Sequence, residues 1–377
     1  MIYGILLEAD AQGHQVVGIK RGWAGFLEGR TVNLEISQLD DLHMEGGTIL
    51  YTSRTNPFAE QSKVSDAAAR ETAISERALE LKERFEVLGI DGLIAIGGDD
   101  TLSVAAKLHK YAEARVVGVP KTIDNDLTGT DYTFGFWSSV QLATNTMENL
   151  NTTAKSHQRI MVVEVMGRNA GWLTLMSGIA SGSDVILLPE TPFDLKRDVI
   201  DVLVQRANMG HVHHVVALSE GAVPTVESLK RDFKTFTKED LERVPKDVFG
   251  NPKLAELNFS KILRRELERS EELRAGFAEN GLHLECREFV LGHSMRCGTP
   301  NAFDRILGLR LGVRAVKELA GNGSGRMVVL KGLNIETVPI EEGSKQRVVT
   351  PELAADLLYL KDLIVKVKFA KRRDLNI

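Results

Sequence analysis

The sequence has very little cysteine and no long hydrophobic run. Only two cysteines, Cys286 and Cys297, occur among 377 residues. This excludes a disulfide framework and favours a reducing compartment, so we expect a cytoplasmic protein. Apolar runs such as residues 215–218 are far shorter than the about 20 residues that a membrane span needs. No secretory leader is predicted, because a charged amino-terminal region is missing and Glu8 and Asp10 interrupt the apolar start.

A strong excess of one charge is also missing. The chain carries 47 basic and 52 acidic residues, a net charge of −5, which argues against broad binding to nucleic acid or to anionic membranes. Hydrophobic residues make up 43% and charged residues 26% of the chain, which is the range of an ordinary globular protein. A length of 377 residues predicts two domains or one large one.

Short apolar segments alternate with helical ones. The clearest helical pattern lies between Ile74 and Leu88, where apolar residues recur at intervals of four, three, four and three, and Gly89 follows as a stop. The alternation predicts an α/β fold of doubly wound, mostly parallel sheets, in which ligands bind beyond the carboxyl ends of the strands. The predicted strands are residues 16–19, 93–96, 116–119, 161–165, 185–188, 215–218 and 327–330.

A Walker A loop is absent, but residues 97–101, Gly-Gly-Asp-Asp-Thr, form another glycine-rich turn between a predicted strand and a helix. The glycines let the backbone approach an anion, and the helix amino terminus offers free N–H groups. The carboxylates of Asp99 and Asp100 would repel phosphate unless a cation lies between them, which points to Mg²⁺. The same residues also fit a tight turn in which an aspartate caps the helix.

A second acidic loop follows the predicted strand at residues 116–119. Asp124 could deprotonate a hydroxyl while Asp126 orients the site, and Lys121 could pair with a phosphoryl oxygen. The alternative is a solvated turn. A solvated turn is disfavoured because each of the two acidic loops follows the carboxyl end of a predicted strand.

Basic residues accompany the remaining strand ends. Arg159 precedes one predicted strand, and Gly167 and Arg168 follow it. Gly167 would let the backbone approach a sugar, and the arginine forks suit phosphate. Any single arginine is more simply a surface residue, but the set favours an anionic substrate. A further basic set consists of Arg287, His293 and Arg296.

In their order along the chain, from about Gly13 to Leu330, these motifs closely resemble the phosphofructokinase family. The resemblance implies phosphoryl transfer to the C1 hydroxyl of fructose 6-phosphate, giving fructose 1,6-bisphosphate in glycolysis, with Mg²⁺ as cofactor. The transfer is in line, and positioning and charge neutralisation supply most of its rate. The motifs are residues 97–101, 120–126, 166–172, 189–190, 220 and 292–296.

The resemblance also assigns roles to individual residues. Asp124 would take the C1 hydroxyl proton, with Thr122 and Asp126 beside it. Asp99 would hold Mg²⁺. Arg159 and Arg287 would reach the sugar phosphate from a neighbouring subunit, which implies a homo-oligomer, a dimer or a tetramer. The remaining residues that would bind fructose 6-phosphate are Met166, Gly167, Arg168, Glu220, His293 and Arg296. Those that would contact the phosphoryl donor are Arg54, Gly98, Asp100 and Lys121.

The phosphoryl donor divides the family. Members that use ATP carry glycine where this chain has Asp100, and commonly where it has Lys121, whereas members that use pyrophosphate resemble this chain at both positions. A carboxylate at Asp100 would repel the α-phosphate of a nucleotide, and Lys121 supplies a cation for the shorter donor. We therefore expect pyrophosphate. An ATP-dependent phosphofructokinase and a catalytically impaired sugar-phosphate-binding homologue remain alternatives.

The resemblance further implies two domains with the active site in the cleft between them. Residues 1–135 with 295–345 would bind the donor, and residues 136–294 with 346–377 would bind fructose 6-phosphate. The family opens with a strand and a glycine-rich loop that cradles the donor phosphates, whereas this chain opens on a predicted helix, so we expect that strand and loop to be missing. The NAD and lipid kinases share the Gly-Gly-Asp turn, but they need neither the second carboxylate loop nor the arginine set.

Overall fold

The computed structural model describes residues 1–38, 41–245, 258–321 and 323–374. The strands are β1 (Val16–Ile19), β2 (Thr31–Leu34), β3 (Leu93–Gly97), β4 (Val116–Pro120), β5 (Ile160–Val165), β6 (Val185–Leu187), β7 (His214–Ser219), β8 (Cys286–Val290), β9 (Arg326–Lys331) and β10 (Asn334–Pro339). The helices are α1 (Ile2–Ala11), α2 (Gly22–Glu28), α3 (Ala67–Leu88), α4 (Asp99–Ala112), α5 (Phe136–His157), α6 (Trp172–Ala180), α7 (Asp201–Asn208), α8 (Val226–Asp232), α9 (Lys238–Glu242), α10 (Phe259–Arg269), α11 (Glu271–Glu279), α12 (Ala302–Ala320) and α13 (Pro351–Asp374).

The chain divides into two compact units, each built around a sheet. Unit 1 comprises Met1–Ser138 and Arg296–Arg347, and unit 2 comprises Ser139–Met295 and Val348–Ile377. In unit 1 the strand order is β10-β9-β4-β3, and only β10 runs antiparallel to its neighbour. In unit 2 the order is β6-β7-β5-β8, with every pairing parallel. The predicted α/β class with mostly parallel sheets is confirmed.

The core of unit 1 forms because β4 is apolar along its whole length. Every residue of β4 is buried, and helices cover the sheet. The α3 helix buries the predicted stripe from Ile74 to Phe85 and stops at Gly89, whose φ of 64° is the left-handed conformation of a helix carboxyl terminus. On α12, Leu307 and Leu311 pack against the sheet strands. Apolar packing thus supports the strands whose carboxyl ends lead into the loops.

Unit 2 contains a charged group inside its core. The Arg206 Nη1 donates to Asp184 Oδ1 at 2.7 Å, and the backbone N–H of Val215 donates to Asp184 Oδ2 at 2.8 Å. The Nδ1 of His214 lies 3.6 Å from Asp184 Oδ1. Burial alone would raise the pKa of Asp184, but His214, the charge of Arg206 and the Val215 N–H lower it from 3.8 to about 2. Asp184 is therefore a carboxylate at every ordinary pH.

The strand predictions differ from the structure in two respects. The predicted strand at residues 16–19 exists, but it pairs antiparallel with β2 in a separate two-stranded sheet. The strands β2, β8 and β10 were not predicted. Their residues alternate between exposed and half-buried or are mostly exposed. These strands therefore lack the continuous apolar run that marks a buried parallel strand. Within the described part of the chain, no helix combines the length and the apolarity that crossing a membrane demands.

Candidate active site

The two acidic loops are neighbours because β3 and β4 are adjacent parallel strands. The backbone N–H of Lys121, just after β4, donates to the carbonyl of Gly97 at 2.9 Å. A Cβ placed on Gly98 would lie 3.8 Å from the Cβ of Thr122. Gly98 is the N-cap of α4, and Asp99 and Asp100 occupy its first turn. The fold thus brings the predicted residues of both loops to one edge of the unit 1 sheet.

The second loop holds two buried carboxylates. Asp124 is 6% exposed and Asp126 is 9% exposed. Burial raises the pKa of Asp126 to about 7, and the negative charges of Asp124 and Asp99 contribute to the same shift. The hydroxyl of Thr122 accepts the backbone N–H of Asp124 at 3.1 Å. The charges of Asp124 and Asp99 therefore both act on Asp126, at the place where the sequence predicts a base and a cation.

Positive charge lies beside these carboxylates. Lys121 is exposed as a residue, yet the protein around its ammonium lowers its pKa by partial desolvation, and the charge of Arg296 lowers it further while Asp124 opposes the shift. Lys121, Arg296 and Asp124 therefore form one electrostatic group in unit 1. Arg54 is exposed in an irregular segment of the same unit, and its contact with a donor stays a prediction.

Asn125 anchors the acidic loop, a role that its sequence context does not predict. Its side chain is fully buried and its φ is 52°, the left-handed conformation that asparagine tolerates. The Oδ1 of Asn125 accepts the backbone N–H of Thr133 at 3.0 Å. On the other side, the backbone N–H of Arg347 donates to the carbonyl of Asp126 at 2.7 Å. A buried asparagine between two aspartates looks like an ordinary turn in sequence, so only the fold reveals the anchor.

The acidic group fits a hard divalent cation. The Oδ1 of Asp126 is buried without a hydrogen-bond partner in the described residues, and the mutual repulsion of the carboxylates would be relieved by a positive ion. Across the described ranges, no three His, Cys, Asp or Glu side chains come close enough to form a complete cage. Mg²⁺ does not require such a cage, because it is usually bound through one or two carboxylates together with phosphates and water.

The predicted sugar-binding residues of unit 2 follow the carboxyl ends of its strands. Met166, Gly167 and Arg168 follow β5, Glu220 follows β7, and His293 lies in the short helix Gly292–Arg296 after β8. The Oε1 of Glu220 accepts the backbone N–H of Gly167 at 3.2 Å and that of Arg168 at 2.8 Å. Glu220 therefore fixes the backbone from which the Arg168 side chain projects.

Glycine is required at two points of this loop. Gly167 has a φ of 151°, and a Cβ there would lie 2.5 Å from the carbonyl oxygen of Ala170. At Gly221 a Cβ would lie 1.9 Å from the carbonyl oxygen of Arg168. Since backbone cannot yield as a flexible side chain does, both positions are closed to larger residues. The loop is consequently tight and preformed.

Arg159 and Arg287 do not join this group. Arg159 immediately precedes β5 and Arg287 is the second residue of β8, so both lie at the amino ends of strands whose carboxyl ends carry the sugar-binding loop. At about 3.3 Å per residue, the length of β5 puts roughly 20 Å between its two ends. Both arginines instead form ion pairs with Glu285 Oε1. Glu285 was missed, because its partners depend on the register between β5 and β8.

Comparison with known proteins identifies the class to which this fold and these loops belong. The phosphofructokinase profile matches residues 1–319. The chain belongs to the phosphofructokinase family and is a phosphotransferase. It is 40% identical over 344 residues to a pyrophosphate--fructose 6-phosphate 1-phosphotransferase of Amycolatopsis methanolica, covering 91% of this chain and 89% of that protein. It is 38% identical over 343 residues to the ATP-dependent 6-phosphofructokinase 2 of Streptomyces coelicolor, with the same two coverages.

Solved structures show the same fold. The phosphofructokinase of Pichia pastoris in the T-state matches with a TM-score of 0.66 and 26% identity, over 98% of this chain and 35% of that one. This chain thus spans about a third of the Pichia chain. A pyrophosphate-dependent phosphofructokinase of Marinobacter aquaeolei matches with a TM-score of 0.67 and 20% identity, over 93% of this chain and 81% of that one. At that identity the second likeness concerns the fold alone.

Proposed function

We propose that the protein transfers a phosphoryl group from pyrophosphate to the C1 hydroxyl of fructose 6-phosphate. The observation that carries the proposal is the buried pair Asp124 and Asp126, at the carboxyl edge of the unit 1 sheet beside Lys121. A hydroxyl acceptor needs a base, and a phosphoryl donor needs positive charge close to it. Relatives named for this reaction are 40% identical to the chain.

In this proposal Asp124 accepts the proton of the C1 hydroxyl. Thr122 holds the Asp124 backbone, and Asp126 orients the site from within the same loop. Lys121 faces the transferred group with positive charge, as phosphoryl transfer demands, and Arg296, whose charge reaches Lys121, binds fructose 6-phosphate. Mg²⁺, held by Asp99 together with donor oxygens, would neutralise the charge of the phosphates. The remaining residues of the proposal bind substrate and move no proton.

Binding of the sugar phosphate is assigned to unit 2. The loop fixed by Glu220 presents Arg168 and the Gly167 backbone, and His293 follows the neighbouring strand. Arg159 and Arg287 serve the substrate of a second copy of the chain, because they lie at the far end of the sheet. The active form in this proposal is a homo-oligomer.

Asp100 carries the choice of pyrophosphate over ATP. It lies in the first turn of α4, where its carboxylate would meet the α-phosphate of a nucleotide that approached the helix amino terminus. Lys121 supplies the compensating cation. ATP-dependent relatives are 38% identical, so ATP remains the second candidate donor.

The test is a coupled assay of fructose 1,6-bisphosphate formation with Mg²⁺ and either donor. Faster turnover with pyrophosphate than with ATP supports the proposal. Preference for ATP would assign the chain to the ATP-dependent enzymes. Turnover with neither donor would refute both, and calorimetric titration with fructose 6-phosphate would then show whether the chain only binds the sugar phosphate.

A further inference from the structure

Three charged side chains form a cluster at the amino end of the unit 2 sheet. The Nη2 of Arg287 lies 2.6 Å from Glu285 Oε1, and the Nη2 of Arg159 lies 3.2 Å from the same oxygen. One carboxylate oxygen therefore joins two guanidinium groups. The Arg159 side chain is 19% exposed, and its Nε is buried without a hydrogen-bond partner in the described residues.

The pairing of β5 with β8 places the three residues. The backbone N–H of Ile160 donates to the carbonyl of Glu285 at 2.9 Å, and Ile160 is opposite Cys286 in the parallel register. Glu285 and Arg287 are two residues apart along an extended chain, so their side chains leave the same face of the sheet. Arg159 comes directly before Ile160 and reaches that face from the start of the neighbouring strand. Arg159 and Glu285 immediately precede β5 and β8, so the register of these two strands sets the cluster.

The charges of the cluster do not cancel. Two guanidinium groups and one carboxylate leave a net charge of +1, and each guanidinium has five N–H donors in a planar fork. Each arginine uses its Nη2 for Glu285 Oε1, and Arg287 Nη1 also donates to the Cys286 carbonyl at 3.4 Å. With five N–H donors in each fork, both arginines keep donors for another anion. Without the carboxylate, two like charges would repel each other and each arginine would sample many rotamers.

We propose that Glu285 is a positioning residue that holds Arg159 and Arg287 as one clamp for the phosphate of fructose 6-phosphate. The inference rests on the proposed function, in which these arginines serve the substrate of a neighbouring subunit. Ordering a long side chain upon binding weakens affinity, and a clamp ordered in advance avoids most of that cost. Glu285 also repels the phosphate, but it sets one negative charge against the two positive charges of the arginines.

The test compares the variants Glu285→Ala and Glu285→Gln with the wild-type protein. Glu285→Ala removes the shared acceptor, so the KM for fructose 6-phosphate is expected to rise about tenfold, which matches the ordering cost of two arginine side chains. Glu285→Gln keeps an acceptor oxygen and loses the charge, so a rise between those of wild type and Glu285→Ala is expected. The kcat at saturation and the KM for the phosphoryl donor should stay at their wild-type values, which a general structural defect would not allow.

Glu288→Gln is the matched control. Glu288 lies in β8, three residues after Glu285, but its carboxylate pairs with Arg264 at 2.6 Å, so its removal should leave the KM for fructose 6-phosphate unchanged. All variants are compared by thermal midpoint and assayed at two protein concentrations. A raised KM that returns to the wild-type value at high protein concentration would overturn the inference, because the residue would then act through assembly.

Different measurements would overturn the inference and the proposed function. An unchanged or lowered KM for fructose 6-phosphate in both Glu285 variants, with an active wild-type protein, would overturn the positioning role alone. A wild-type protein that turns over fructose 6-phosphate with neither pyrophosphate nor ATP would overturn the proposed function and this inference together. If Glu285→Ala does not fold, the KM of Glu285→Gln decides the matter by the same criterion.

Discussion

Replacing Asp184 by Asn is expected to destabilise unit 2 by about 3–5 kcal/mol. Asp184 and Arg206 are 6% and 5% exposed, and their ion pair is 2.7 Å long. An asparagine would still accept the Val215 N–H, but it would leave the guanidinium of Arg206 buried without its counter-charge. The expected loss of stability comes from this uncompensated buried charge and not from the net contribution of the ion pair to folding.

The pH dependence gives a second, independent measure. The folded-state pKa of Asp184 is about 2, below its ordinary 3.8. A carboxyl group with a lowered pKa stabilises the fold above its unfolded pKa, and this contribution is lost as the pH falls through the folded pKa. The shift corresponds to about 2 kcal/mol at 1.36 kcal/mol per pKa unit. As the pH falls from about 4 to about 2, the free energy of unfolding of the wild-type protein should therefore decrease. That of Asp184→Asn should lack this decrease, because the titrating carboxyl group is gone.

Urea denaturation followed by circular dichroism measures both effects. The double variant Asp184→Asn with Arg206→Met removes the buried cation as well, so it should recover much of the stability that the single variant loses. Asp184 precedes β6 at its amino end, away from the predicted site loops, so kcat at low temperature should be unchanged. A single variant that loses less than about 1 kcal/mol would show that water or local rearrangement solvates Arg206, and the reasoning from burial would be wrong.

Further predictions concern the candidate site and His211, whose ring stacks on that of His214 in unit 2. Asp124→Asn should lower kcat by about 10²–10⁴-fold with little change in fructose 6-phosphate affinity by calorimetry; near wild-type kcat would exclude Asp124 as the base. Asp100→Gly should raise kcat/KM for ATP relative to pyrophosphate in the coupled assay, and an unchanged ratio would remove Asp100 from donor choice. Gly221→Ala should raise the KM for fructose 6-phosphate, because the new methyl group would meet the Arg168 carbonyl; an unaltered KM would mean that the loop yields freely. Burial lowers the pKa of His211 from 6.5 to about 4, so stability should fall as the pH drops from 6.5 towards 4. In urea denaturation at a series of pH values, His211→Gln should reduce this loss of stability between pH 6.5 and pH 4. An unchanged loss would contradict the attribution to His211.

The sequence predicted the parts of the fold that continuous apolar runs mark. The strands that became β3, β4, β5, β7 and β9 stand out because both of their faces are covered. Because neighbouring parallel strands end at the same edge of a sheet, these strands also predict that the loops carrying Asp99 and Asp124 lie close together. The short strand β8 was missed because its exposed, partly charged residues resemble a surface segment.

Contacts that depend on strand register could not be predicted from one sequence. Glu285 looks like any surface glutamate until β5 and β8 are aligned, and only then does its carboxylate meet Arg159. The left-handed backbone of Asn125 likewise depends on the Thr133 N–H, eight residues away. By contrast, the separation of Arg159 from Arg168 was already implicit in the sequence, because one precedes the strand and the other follows it.

The separation of Arg159 from Arg168 has a consequence for how inactivating substitutions combine in an oligomer. If the amino end of β5 serves a neighbour and its carboxyl end serves its own subunit, one strand belongs to two catalytic centres. When a chain inactivated at Arg159 pairs with a chain inactivated at Asp124, the Arg159 lesion falls on the centre of its neighbour, which is the centre that already lacks Asp124. A mixed oligomer would contain some centres with both lesions and some with none, so two inactive proteins would complement each other in trans.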